Sequence, residues 1–227
     1  MRTAAILPVK HFARAKQRLG LSVTEALRLR LARAMVADVL FALGQVAAIE
    51  RVIVVTREGS VAAAAREMRA IVIDDHAEAG QSAAASLGIE RALLEGFERV
   101  LCVPGDCPAL DPAELDALIA TQTSAPEVVI IPDRHGTGTN GLLLSPPDVI
   151  GPSFGPDSCE RHLTLARASG APCRLERPPS LLLDIDTGAD LAVLRERLGG
   201  PHPRAARTRT VLGAPARGEL LSQSASS

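Results

Sequence analysis

Apolar residues fall into two kinds of run along this chain. Short, β-branched stretches at 4–9, 51–56, 70–74, 99–104 and 127–132 are apolar almost throughout. Longer stretches at 22–43, 61–68, 82–95 and 112–122 repeat their apolar positions at helical spacing. The two kinds alternate. Strands apolar on both faces suit a parallel sheet covered by helices on each side. The pattern therefore predicts a right-handed β-α-β series, with ligands collecting at the carboxyl ends of the strands. Two helix starts carry chemical marks: Ser22-Val23-Thr24-Glu25 has the spacing of a capping box, and Asp111-Pro112-Ala113-Glu114 offers an N-cap carboxylate followed by proline. After 132 the pattern loosens into a strand at 141–145, a helix at 158–169, a last strand at 181–185 and a last helix at 187–198. From 199 to 227 the chain is rich in Pro, Arg, Ala and Ser and has no apolar period. This predicts one folded domain over 1–198 and a disordered tail over 199–227.

Composition narrows the function classes. At 47% hydrophobic over 227 residues the chain can bury a sizeable core, built from aliphatic side chains because Phe occurs four times and Trp and Tyr not at all. Twenty-five basic and 26 acidic residues leave a formal charge of −1. Such a balance gives no field to attract nucleic acid or an anionic membrane, and few aromatic rings are present for bases to stack on. No run approaches the ~18 apolar residues of a membrane span, and the first strand is too short for a secretory h-region. Cys102, Cys107, Cys159 and Cys173 form no C-x-x-C pair, so they read as small hydrophobes kept reduced in the cytoplasm.

Candidate chemistry gathers where strands end. Asp106, in Val103-Pro104-Gly105-Asp106-Cys107-Pro108, follows an apolar strand between two prolines. There a carboxylate can hold Mg²⁺ beside phosphate oxygens, or can simply form a turn. Asp184 and Asp186 close the predicted last strand and would project to one face, where two carboxylates need a cation or a proton between them; Asp186 could instead cap the following helix. The 133–141 segment alternates Gly136 and Gly138 with Thr137 and Thr139, a backbone able to turn N–H groups toward an anion. Phe154-Gly155-Pro156-Asp157-Ser158 precedes a helix, whose free N–H groups favour phosphate or carboxylate. Arg161 in that helix's first turn opposes the dipole and hints at an anionic ligand. Finally, the loop after the first strand carries Lys10, Arg14, Lys16 and Arg18 with no acid. It is a solvated basic loop or a triphosphate clamp, and it matches neither Walker A nor the dinucleotide fingerprint.

Taken together, Ile6-Leu7-Pro8-Val9-Lys10 with Ala13-Arg14-Ala15-Lys16, the 105–110 segment, Asp133 to Asn140, the 153–158 segment and Asp184-Ile185-Asp186-Thr187 resemble the 2-phospho-L-lactate/phosphoenolpyruvate guanylyltransferases of coenzyme F(420) biosynthesis. The resemblance spans residues 3 to about 198 and is most specific at 134–140. It implies an α/β fold: a Rossmann-like, three-layer nucleotidyltransferase of the glycosyltransferase-A type with a mostly parallel sheet. It also implies Mg²⁺ on Asp106, Asp184 and Asp186. Thr139, Gly155 and Ser158 would hold the acceptor, and Lys16 with Lys10 would lie on the GTP phosphates, Asp106 and Lys16 being the catalytic pair. The Gly80-Gln81-Ser82 stretch, with Gly80 and Ser82 near the nucleotide, departs from the family's usual Gly-Leu-Asn, and Gly105 stands where Ala is common. The implied partners are GTP and a small phosphorylated acid: phosphoenolpyruvate, 2-phospho-L-lactate or 3-phosphoglycerate. A homodimer is allowed but not selected. Alternatives are a cytidylyltransferase or sugar-phosphate enzyme of the same fold, or a non-catalytic nucleotide-binding protein.

Overall fold

In the computed structural model, which describes residues 1–14, 16–122, 124–199 and 204–213, the apolar runs become one sheet of seven strands. The strands are β1 (Thr3–Val9), β2 (Arg51–Thr56), β3 (Ile71–Ile73), β4 (Arg99–Cys102), β5 (Glu127–Pro132), β6 (Thr139–Ser145) and β7 (Cys173–Leu175). Their order across the sheet is β3-β2-β1-β4-β6-β5-β7. All pairings are parallel except those of β6, which runs antiparallel to both β4 and β5. The reversal follows from a short connection: β5 and β6 form a hairpin, whereas parallel neighbours need a crossover helix.

The side-chain period of two divides the core. Ala5, Leu7 and Val9 join the layer shared with α1 (Glu25–Leu43), α2 (Gly59–Glu67) and α4 (Pro112–Thr121). Ala4 and Ile6 join the opposite layer with α3 (Gln81–Leu94) and α5 (Ser158–Ser169). A third cluster packs Leu31 and Met35 of α1 against Leu191 and Leu194 of α6 (Gly188–Leu198). The expected α/β sandwich is present.

Three local expectations change. Thr24, not Ser22, caps α1 by accepting from the Leu27 N–H at 3.3 Å. Residues 181–185 are no strand. Pro178 and Pro179 turn the chain into a 3₁₀ helix (Pro179–Leu181), and the segment then crosses the carboxyl edge of the sheet, with Leu183 and Ile185 buried against α6. The edge strand is β7 instead. Third, the stretch from 199 is not wholly irregular. α7 (Ala206–Gly213) lies on α1, where Thr208 is fully buried and Val211 and Leu212 pack on the third cluster. Its first N–H groups, of Arg207 and Thr208, donate to the buried Asp38 carboxylate at 3.1 and 2.8 Å. A helix of this length has little stability alone; the acceptor that orders it lies about 170 positions earlier in the chain, out of reach of any local pattern. The rest of the predicted tail, 200–203 and 214–227, falls outside the described residues.

Candidate active site

The carboxyl edge of the sheet opens into one cavity of about 670 Å³. Lys10, Lys16, Asp106, Thr139, Gly155, Ser158, Asp184 and Asp186 all line it. Most of the candidates named from the sequence thus face a single cavity. Gly80 and Ser82 are not among the lining residues, although Gln81 between them is. The Ser82 hydroxyl accepts from the Phe154 N–H at 2.8 Å and so fastens the start of α3 to the 153–158 loop.

Two chain segments bring the acids together. Asp106 follows β4, whose pairing with β1 extends through a Val103 N–H to Ile6 C=O bond of 3.0 Å. The Ile185 N–H donates to the Asp106 C=O at 3.2 Å, which sets Asp184 and Asp186 beside it. One oxygen from each of the three carboxylates lies within 4.8 Å of the others. The Asn140 amide steadies Asp184 by donating to its Oδ1 at 3.1 Å and to the Leu181 C=O at 2.8 Å. Asp106 Oδ1 is buried without a hydrogen-bond partner among the described residues. Hard oxygen donors with an unmet buried lone pair suit a small divalent cation.

Lys16 reaches into this cluster. It has a left-handed backbone at φ 57°, and its Nζ is paired with Asp106 and, at 2.6 Å, with Asp186. Burial pulls the lysine pKa down, but the two carboxylates overcome that and hold it above its ordinary value. For Asp186, burial pushes upward, yet Lys16 and Arg18 outweigh it and leave the group below the usual carboxylate value. Asp184 is shifted the other way, raised by burial and by Asp106, with Asn140 partly opposing. The basic loop is braced from behind: buried Arg28 of α1 donates to the Phe12 C=O at 3.0 Å, and Glu58 accepts from the Phe12 N–H at 2.6 Å.

On the far side, the 133–138 loop and the start of α5 lie together. The Thr137 N–H donates to Asp133 at 2.9 Å, and the Cys159 N–H donates to the Thr137 C=O at 3.0 Å. Gly155 has φ 116°, a conformation side chains disfavour, so glycine is needed for the turn into Ser158. Arg161 does not wait for an anion. Its guanidinium donates to Ser153 Oγ and to the carbonyls of Ser153, Phe154 and Pro156, stitching the loop it follows. The apparent misfit with the helix dipole is thus met by local carbonyls.

Sequence reasoning missed two residues. Asp190 accepts from the Asp186 and Thr187 N–H groups at 3.1 and 2.7 Å and pairs with Arg134 at 2.5 Å. The Thr187-x-x-Asp190 spacing was a readable capping-box signal. His162, fully buried on α5, contacts Thr139 Oγ1 through Nδ1 at 3.0 Å and the Ser153 N–H through Nε2 at 2.8 Å. Burial, together with the nearby Arg161 charge, lowers its pKa from 6.5 to about 4. Two buried thiols are held in the neutral form: burial pushes Cys102 up to about 12, and burial with the adjacent carboxylates raises Cys107 well above the ordinary thiol value.

Residues 3–197 match the family described as "Guanylyl transferase CofC like". The chain belongs to this family. A phosphoenolpyruvate guanylyltransferase of Conexibacter woesei is 48% identical over 213 residues, which is 93% of this chain and 96% of that protein. The enzyme of the same name from Sphaerobacter thermophilus is 37% identical, covering 89% of this chain and 95% of its own length. In three dimensions, a solved nucleotidyl transferase of Methanothermobacter superimposes with a TM-score of 0.65 at 23% identity, over 86% of this chain and 97% of that one. A member of this guanylyltransferase family is an enzyme of the nucleotidyltransferase class, and the chain shares its fold with the solved nucleotidyl transferase. Among the described residues, no helix is long and apolar enough to cross a membrane.

Proposed function

We propose that this protein transfers GMP from GTP to phosphoenolpyruvate, releasing pyrophosphate, as a step in coenzyme F(420) biosynthesis in the cytoplasm. The observation that carries the reading is the convergence of Asp106, Asp184 and Asp186 in the same cavity as Thr139, Gly155 and Ser158. The relatives' activity supports phosphoenolpyruvate over 2-phospho-L-lactate and 3-phosphoglycerate.

The three carboxylates would hold Mg²⁺, which would supply charge neutralisation for the triphosphate. Lys10 and Lys16 are assigned to the nucleotide; Gly80 and Ser82, which do not line the cavity, are left out of that assignment. Thr139, the Gly155 turn and Ser158 are assigned to the phosphate and carboxylate of the acceptor. An acceptor phosphate oxygen, ionised at neutral pH, attacks the α-phosphorus of GTP, and the bond from that phosphorus to the pyrophosphate oxygen breaks. No general base is required. The protein contributes alignment of two polyanions and positive charge from Lys10, Lys16 and Arg18 against the charge growing on the leaving group.

Pyrophosphate release, measured for each nucleoside triphosphate against each of the three acids, tests the reading. GTP with phosphoenolpyruvate should give the highest kcat/KM; preference for CTP would move the protein to the cytidylyltransferase alternative. Thr139→Val separates the half-sites. It should lower acceptor kcat/KM by about ten- to a hundredfold, the scale of a hydrogen bond to a charged group, and leave GTP affinity unchanged. The opposite split would exchange the two half-sites.

A further inference from the structure

His162 lies one turn after Ser158 on α5, and its ring makes two hydrogen bonds with opposite demands. A backbone N–H can only donate. The Ser153 N–H points at Nε2 across 2.8 Å, so Nε2 presents a lone pair. A neutral imidazole carries one proton, which is thereby assigned to Nδ1. Nδ1 lies 3.0 Å from Thr139 Oγ1, so at that contact the ring donates and the hydroxyl accepts. Phe154, edge-on with its centroid 5.3 Å away, packs against the imidazole. The polarity of the Thr139 contact matters. A carbonyl or carboxylate in this place would take the hydroxyl proton and leave a lone pair facing the cavity. A donor does the reverse, and Thr139 keeps its own O–H for a ligand.

We infer that His162 is a positioning residue for the acceptor: its Nδ1–H fixes the Thr139 hydroxyl as a donor toward an anionic oxygen of the bound acid. The inference rests on the assignment of Thr139 to the acceptor made above. Through Nε2 the same ring holds Ser153, so one buried side chain sets both the hydroxyl on β6 and the loop that leads to Ser158. The guanidinium of Arg161 secures that loop from the other side, through Ser153 Oγ at 2.9 Å.

Two variants divide the ring's functions. His162→Gln can set its carbonyl oxygen where Nε2 lay, keeping the Ser153 bond and losing the Thr139 donor. His162→Asn can set its amide nitrogen where Nδ1 lay, keeping the donor. A hydroxyl has three staggered positions, so one that is no longer directed is competent about a third of the time, a loss of about threefold in acceptor kcat/KM. His162→Gln should show at least that loss, His162→Asn, which gives up the Ser153 bond but keeps the donor, should lose less than His162→Gln, and GTP affinity should not change in either. On a Thr139→Val background, His162→Gln should add nothing, because it acts through the missing hydroxyl. An additive loss, or a normal His162→Gln enzyme beside an impaired Thr139→Val, overturns this inference alone. A normal Thr139→Val enzyme overturns the acceptor assignment and this inference with it. The parent protein gives an answer that depends on no variant's folding. The ¹⁵N shifts of His162 at neutral pH should show Nδ1 protonated and Nε2 bare, and the opposite tautomer or a doubly protonated ring refutes it.

Discussion

Substituting Asp38 by alanine tests whether α7 is part of the folded unit. The Asp38 carboxylate is buried in α1 and accepts from the Arg207 and Thr208 N–H groups at 3.1 and 2.8 Å. Negative charge at a helix start is favourable, and hydrogen bonds to a charged group are worth about 1.5–3 kcal/mol in stability. Alanine in mid-helix regains only a few tenths of a kcal/mol from propensity. At about 2–4 °C per kcal/mol for a chain of this size, Tm should fall by about 3–12 °C. The loss has a ceiling: once it exceeds the docking free energy of α7, the helix leaves and nothing further is lost. The decisive assay is therefore a cycle, with Asp38→Ala measured by calorimetry in the full chain and in a chain ending at Gly199. In the shortened chain the substitution should cost less than about 0.5 kcal/mol. An equal cost in both backgrounds would mean that Asp38 acts within α1 and not through α7. No cost in the full chain would mean that α7 adds nothing to stability.

Three further outcomes are expected. Asp106→Asn keeps shape but removes charge, so kcat should fall by at least about a hundredfold while folding survives on Lys16–Asp186; activity within a few-fold of the parent would remove Asp106 from the metal set. His162 binds its proton near pH 4 in the fold and near 6.5 when unfolded, so its contribution to stability is present above 6.5 and is lost as pH falls through that window. At about 1.4 kcal/mol per unit this is ~2–3 kcal/mol by pH 4.5, read as the difference between parent and His162→Asn in urea unfolding at pH 7 and 4.5; equal losses would refute it. At Gly105 an added Cβ would meet Val36 Cγ2 at 2.9 Å. Gly105→Ala should therefore cost about 1 kcal/mol, and the added cost should shrink in a Val36→Ala background; the same cost in both backgrounds would clear Val36.

That contact also explains a departure visible from the start. Gly105 stands before Asp106 where the resemblance leads one to expect alanine, and Val36 fills the space that a Cβ would take. The strands and helices over 3–169 were legible because burial on both faces and helical spacing leave unambiguous patterns. The carboxylates and threonines that line the cavity stood out in the sequence because they interrupt those patterns near the ends of apolar runs. Two kinds of feature did not. The 181–185 segment is as apolar as a strand, yet its partners are Asp106 and α6, and no local rule separates lying across a sheet from joining it. His162 and Asp38 reveal their roles only through partners brought close by the fold, and along the chain each is one polar residue on a helix.

β6 alone runs against its neighbours, and this bears on how such enzymes diversify. Parallel strands present their carboxyl ends to the cavity, so what they offer comes from the loops that follow, as Asp106 does after β4. β6 presents its amino end. Thr139 thus enters the cavity from the ladder, opposite Pro132, and Asn140 enters from the bulge between that pair and Ile131–Gly141. The hairpin tip at 133–138 can be lengthened, shortened or exchanged while these two residues and the neighbouring β4 keep their places. If the acceptor assignment proposed above holds, a change of acid would fall on that tip and on the turn before α5, apart from the carboxylates at the end of β4 and before α6.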